Sequence, residues 1–219
     1  MRIYKTILIF SLLVLSGCAN QSLTSKGYIQ NTDKLTAVET TKIEKHKKIE
    51  SFVIEDSDQR SFEYIAINPL KFDLPEKAAK KLTDEHKQKL TEYFDEKVRE
   101  ELKGFTILDK DEPLRANTYL IDAVVTNIDK SNKWTNIILT ATVALPFDTG
   151  GISMETRILD VNSREEVAAF RGFREGTWLH IVGGAETYGH AKGGIKLYAE
   201  QIQDLLEKFQ CLKCAQDIK

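Results

Sequence analysis

Three cysteines and four histidines are the side chains of this 219-residue chain best suited to covalent or metal chemistry. Cys211 and Cys214 form a C-x-x-C pair. In a thioredoxin-like enzyme such a pair opens a helix, where the dipole lowers a thiolate pKa. Here it falls at the close of the last helical pattern, where the dipole raises that pKa. A zinc site would need two more ligands, and no second C-x-x-C or H-x-x-x-H exists. The spacing leaves open a disulfide formed in an oxidising compartment, which we expect, a pair of free thiols, and redox or metal chemistry. A disulfide here would close a very short loop and stabilise little beyond the helix end.

His46, His86, His180 and His190 are never three or four residues apart, so no helix face presents a metal-binding pair. Neither a G-x-S-x-G elbow nor an S-x-x-K nucleophile is present. Gly183-Gly184 and Gly193-Gly194 flank Ala185 to Lys192 and could cradle a phosphate at a helix start. With no following P-loop lysine and no dinucleotide fingerprint, a flexible loop is the expectation. We expect no catalytic residue, no metal and no cofactor. Trp134, Phe173, Trp178 and Tyr188 are candidate binding-loop aromatics, since such side chains bring contact area at low entropy cost. The plainer reading is that Phe173 and Trp178 cap the edge of the core.

The third cysteine has the most telling surroundings. Arg2 and Lys5 give a positive start, Ile7 to Leu15 an apolar run, and Leu15-Ser16-Gly17 lead into Cys18. The run is too short to span a bilayer. This arrangement resembles the lipobox of bacterial lipoproteins. In such signals the peptide is cut before the cysteine, whose thiol is diacylated. Residues 1–17 would then be a leader, and Cys18 the lipidation site and new N-terminus. Ala19 stands where an Asp would resemble an inner-membrane retention signal, so the resemblance implies an outer-membrane, periplasm-facing address. Each buried methylene contributes roughly 0.8 kcal/mol, and stable anchoring takes two or more chains, which a triacylated cysteine carries.

The loss of Arg2 and Lys5 takes the net charge from −2 to −4. That excludes the basic footprint of a nucleic-acid binder and gives no net electrostatic pull toward anionic lipid, while the charged run at 42–48 leaves open a basic patch that meets lipid headgroups or lipopolysaccharide. Residues 18–50 are polar, with one aromatic and the charged run Lys42, Glu44 to Lys48, and they read as a flexible tether. A folded domain is expected over 51–219.

Within it, Phe52 to Ile54 and Phe62 to Ile67 read as strands, the second ending at Asn68-Pro69. Thr83 is the expected N-cap of a helix carrying Leu90, Phe94, Val98 and Leu102 on one face, with Gly104 as its C′ residue. Phe105 to Leu108 is a short strand and Thr118 to Ile128 a central one. Ile152 to Val161 and Glu166 to Arg174 form a hairpin through Asn162-Ser163-Arg164. Ala191, Ile195, Tyr198, Ile202, Leu205, Leu206 and Phe209 make the apolar stripe of a last helix. Trp134 to Phe147 reads as a buried strand, against a membrane- or partner-facing surface or a helix. The order implies an α/β (α+β) two-layer sandwich: a mixed, largely antiparallel sheet with two main helices on one face.

Several segments together resemble the bacterial lipoprotein family called domain of unknown function 3313. They are Gly27-Tyr28-Ile29 with Lys34-Leu35, Tyr64 to Pro69, and Gly150 to Glu155 with Leu159-Asp160 and Val167 to Ala169. Tyr188 to Ala191, opening the last helix, is similar too. The cysteine pair departs from that pattern. The resemblance implies no activity. The layout is also similar to small α/β domains of curli-secretion and penicillin-binding-protein activator lipoproteins, a likeness of fold alone. The reading is a non-enzymatic lipoprotein, membrane-bound through its lipid, whose domain binds an envelope protein in assembly or regulation. The alternatives are a cell-wall glycan or envelope-ligand binder and a hydrolase without a recognisable motif.

Overall fold

The computed structural model describes residues 27–30, 35–41, 47–54, 62–129, 151–175 and 189–216. The elements, in order, are β1 (Leu35–Thr41), β2 (Lys47–Ile54), β3 (Tyr64–Ile67), β4 (Lys71–Phe72), α1 (Glu76–Ala79), α2 (Asp84–Glu101), β5 (Thr106–Ile107), β6 (Thr118–Asp129), β7 (Gly151–Asp160), β8 (Glu166–Glu175) and α3 (Gly189–Gln216). Eight strands make one mixed sheet in the order β1-β2-β8-β7-β6-β3-β5, with β4 also pairing β6. The expected α+β sandwich is the architecture observed.

Helix α2 starts where the sequence says it should. The Thr83 side chain accepts a hydrogen bond from the His86 amide, and Asp84 and Glu85 occupy the positive end of the dipole. Leu90, Phe94, Val98 and Leu102 are buried, one turn apart. The helix closes by a Leu102 amide to Val98 carbonyl bond and a tight turn from Phe105 to Leu102. Leu102 is the C-cap, so Gly104 stands one residue past the C′ position expected of it. Helix α3 lies against α2 and over β7 and β8, where Ile195, Tyr198, Ile202, Leu205 and Leu206 are fully buried.

Alternation sorts the long strands into two faces. Tyr119, Ile121, Ala123 and Val125 of β6 join Ile152, Met154 and Ile158 of β7 and Phe170 of β8 in the helix-side core. The intervening residues, Asp122, Arg157 and Glu155 among them, point to the other face. At the β7–β8 turn, the Asp160 carboxylate accepts from the Asn162 and Ser163 amides. Arg164 takes a φ of 59°, so the expected hairpin turn is present.

Two expectations need correction. The tether expected over 18–50 does not extend so far: Gly27–Gln30 lies on the sheet, and β1 and β2 are strands of it. Strand β2 pairs with β8, Lys47 opposite Arg174, so its partner is distant in sequence and local polarity gives no hint of it. Gly193-Gly194 is not in a loop either, but inside α3. A Cβ on Gly194 would stand 2.1 Å from Cγ2 of Ile152, so the missing side chain is what lets the helix approach β7. The Arg174 guanidinium donates to the Gly193 carbonyl at the same crossing.

Candidate functional site

The polar centre of the described molecule lies on the sheet face opposite the helices, built around Asp122. Its side chain is 2 % exposed in the middle of the longest strand. The break in the neighbouring strand explains how it is served. Pro69 has no N–H to give to a ladder, so β3 ends at Ile67 and pairing with β6 resumes only at Lys71. That interruption sets Asn68 and Lys71 beside the acid. Asn68 Nδ2 donates to Oδ1 at 3.1 Å and Lys71 Nζ at 2.7 Å. From the other side, Arg157 is the cross-strand partner of Asp122 in β7. Its Nε and Nη2 donate to Oδ2 at 3.2 and 2.9 Å.

Arg157 is shared. Its Nη1 lies 3.5 Å from Oε1 of Glu166, itself 2 % exposed. Its guanidinium stacks over the Tyr28 ring, 4.4 Å from the centroid. Lys71 also donates to the Tyr28 hydroxyl at 3.2 Å. Tyr28 is thus packed against both cations of the cluster.

The backbone around Tyr28 is bound as closely as its ring. The amides of Tyr28 and Ile29 donate to Oε2 of Glu155, at 3.1 and 3.4 Å. The Gln30 amide donates to both carboxylate oxygens of Glu166, each at 3.2 Å. Ile29 is 6 % exposed and Glu155 1 %. Gly27 opens the segment with a φ of 73°, a conformation that glycine adopts freely. Three successive N–H groups therefore end on two buried glutamates. Arg171, the cross-strand partner of Glu155 in β8, extends the alternation of charge across the sheet.

Burial alone would push the Asp122 carboxyl up; hydrogen bonds from Lys71, Tyr28, Arg157 and Asn68 outweigh it and hold the pKa down at about 2. The Lys71 ammonium is opposed by burial but held above its ordinary value by Asp122 and Tyr28. The Tyr28 hydroxyl is raised, first by burial and then by its bond to Asp122. Each of these groups keeps one charge state through the neutral range. The arrangement holds a chain segment in place and is poorly suited to carrying protons.

Residues 27–202 match the family described as protein of unknown function (DUF3313). The chain belongs to that family. The match begins at Gly27, the first residue of the bound segment, and runs through the first half of α3. No curated protein matches this DUF3313 chain. Among solved structures, a single-substitution variant of the PelC dodecamer from Paraburkholderia phytofirmans is similar at 9 % identity and a TM-score of 0.43. The alignment covers 72 % of this chain and 97 % of that one. A second PelC dodecamer structure from the same organism gives 10 % identity and a TM-score of 0.41, over 64 % and 87 % of the two chains.

Of the residues singled out in the sequence, Phe173 is described. It lies half-buried in β8, on the helix-free face, opposite Ser153 of β7. Cys211 and Cys214 fall within the backbone span of α3. Their side chains lie outside the described residues, as do Cys18, Trp134, Trp178, Tyr188 and the segment Trp134 to Phe147. Among the described residues no cluster of His, Cys, Asp and Glu could hold a metal ion, and no helix is long and apolar enough to cross a membrane. Sequence reasoning missed Tyr28, Asn68, Lys71, Asp122, Glu155, Arg157 and Glu166 as a group. Two signals were available: an acid inside the β-branched run of β6, and Tyr28 as the one aromatic of an otherwise polar stretch.

Proposed function

We propose that this DUF3313 protein is an outer-membrane lipoprotein, anchored by acyl chains on Cys18, whose periplasmic domain is a non-enzymatic binding factor for an envelope protein. The observation that supports the reading best is the use made of the buried charge. Asp122, Arg157, Lys71, Glu155 and Glu166 all act on the chain itself, and two of them grip the segment that follows the lipobox-like residues. A domain held in that way is a rigid body on a short lead, which is what a membrane-tethered binding module requires.

Two measurements test it. Mass spectrometry of the protein from its native membrane is expected to show a mature chain starting at a triacylated Cys18; an intact leader or a lipid-free start overturns the anchor. Crosslinking in intact cells followed by purification is expected to bring down a stoichiometric protein partner. Retention on cell-wall glycan without such a partner overturns the protein-binding part.

A further inference from the structure

We infer that Gly27–Gln30 is a latched strap that sets how far the domain can stand from the membrane. The inference rests on the anchor at Cys18 proposed above and adds a geometric role for the charge cluster. Its foundation is the density of contacts on four residues. Three consecutive amides are held by Glu155 and Glu166, the Tyr28 hydroxyl by Lys71, and the Tyr28 ring by the Arg157 guanidinium. Ile29 is buried. All of these partners belong to β4, β7 and β8 or the turn between the last two, so the strap is fixed to the body of the sheet.

Chain length turns this latch into a distance. Eight residues, 19–26, separate Cys18 from Gly27. Fully extended, they let the domain rise about 30 Å from the acylated residue. With the strap released, the next point of the described sheet is Leu35 at the start of β1, and the same calculation gives a limit of about 60 Å. The latch therefore halves the reach of the domain and, by fixing the exit point of the lead, selects which side of the sandwich faces the bilayer.

Two variants and two readouts test this. In one, Gly27–Gln30 is replaced by Ser-Gly-Ser-Gly, which leaves every sheet residue in place. In the other, Glu155→Gln and Glu166→Gln are combined. Hydrogen exchange on the full-length protein is expected to show protected amides at 28, 29 and 30. In the double variant these amides should lose protection at least tenfold, while β6 to β8 stay protected. Unprotected strap amides in the unsubstituted protein overturn the latch. Because a Cys18→Ser chain should keep the same protection, this readout does not depend on lipid. Neutron reflectometry of the lipidated protein on a supported bilayer is expected to place the near edge of the domain within about 30 Å, and to show a broader, higher layer for the strap replacement. Equal heights overturn the distance-setting role even where the anchor itself is present.

Discussion

The two faces of the central sheet solve the same problem, how to bury a strand surface, with opposite chemistry. On the helix side, Tyr119, Ile121, Ile152, Met154, Ile158 and Phe170 meet the stripes of α2 and α3, and Tyr198 stacks on Phe170 at 5.9 Å. This side is held by apolar area and close packing, which tolerate exchange of one apolar shape for another of similar volume. On the strap side the buried charged groups are Asp122, Glu155 and Glu166, and each is matched to a named donor. Such a surface is stable only when complete, since one missing partner leaves a charge buried without compensation. The comparison teaches that the apolar face holds the fold together, while the charged face selects which segment lies upon it.

The largest effect should come from the apolar face. Phe94 is 1 % exposed at the centre of α2, and Phe94→Ala should cost about 4 kcal/mol in urea unfolding, with little dependence on salt or pH. Asp122→Ala should cost about 3 kcal/mol, because it removes the buried carboxylate that Arg157 and Lys71 share. The diagnostic comparison is with Asp122→Ala combined with Arg157→Met: recovery of stability in the double variant supports the charge argument, and simple additivity breaks it.

Gly194→Ala should cost about 2 kcal/mol by pushing α3 off Ile152, despite alanine's better helix propensity, and thermal unfolding measures it. The pH response separates the faces most directly. The folded pKa of Asp122 is about 2 against an ordinary 3.8. Its stabilisation is therefore complete above roughly pH 4 and is lost as pH falls through 2, a change of about 2 kcal/mol. Asp122→Asn should remove that part of the acid dependence, whereas Phe94→Ala should leave it intact. The smallest effect is expected of Tyr28→Phe, which deletes one hydroxyl and keeps the ring under Arg157. A loss of about 1 kcal/mol in the same unfolding assay is expected.

Legibility followed the distance over which each feature is encoded. The four-residue repeat of Leu90, Phe94, Val98 and Leu102 after Thr83 marks α2 without outside help, because a helix is made of contacts three and four residues apart. The β7–β8 turn is just as local, with Asp160 capping the amides that follow it. The strap is the opposite case. Tyr28 gives its amide to a glutamate 127 positions away, and in isolation its neighbourhood is polar enough to pass for solvated chain. Strand β1 and the start of β2 were hidden for the same reason, since their place in the sheet depends on β8. Gly193-Gly194 looked like a loop because its partner, Ile152, lies far away in the sequence.

By itself, the order of residues determined the two long helices, the main hairpin, the sandwich class and the cysteine context at 15–18, all of which depend on neighbours within a few positions. Only the tertiary structure decided that Asp122, Arg157, Lys71, Glu155 and Glu166 share one side of the sheet and close over Tyr28. The reason is physical: alternation along a strand says which residues share a face, but strand order and register decide which charges meet there.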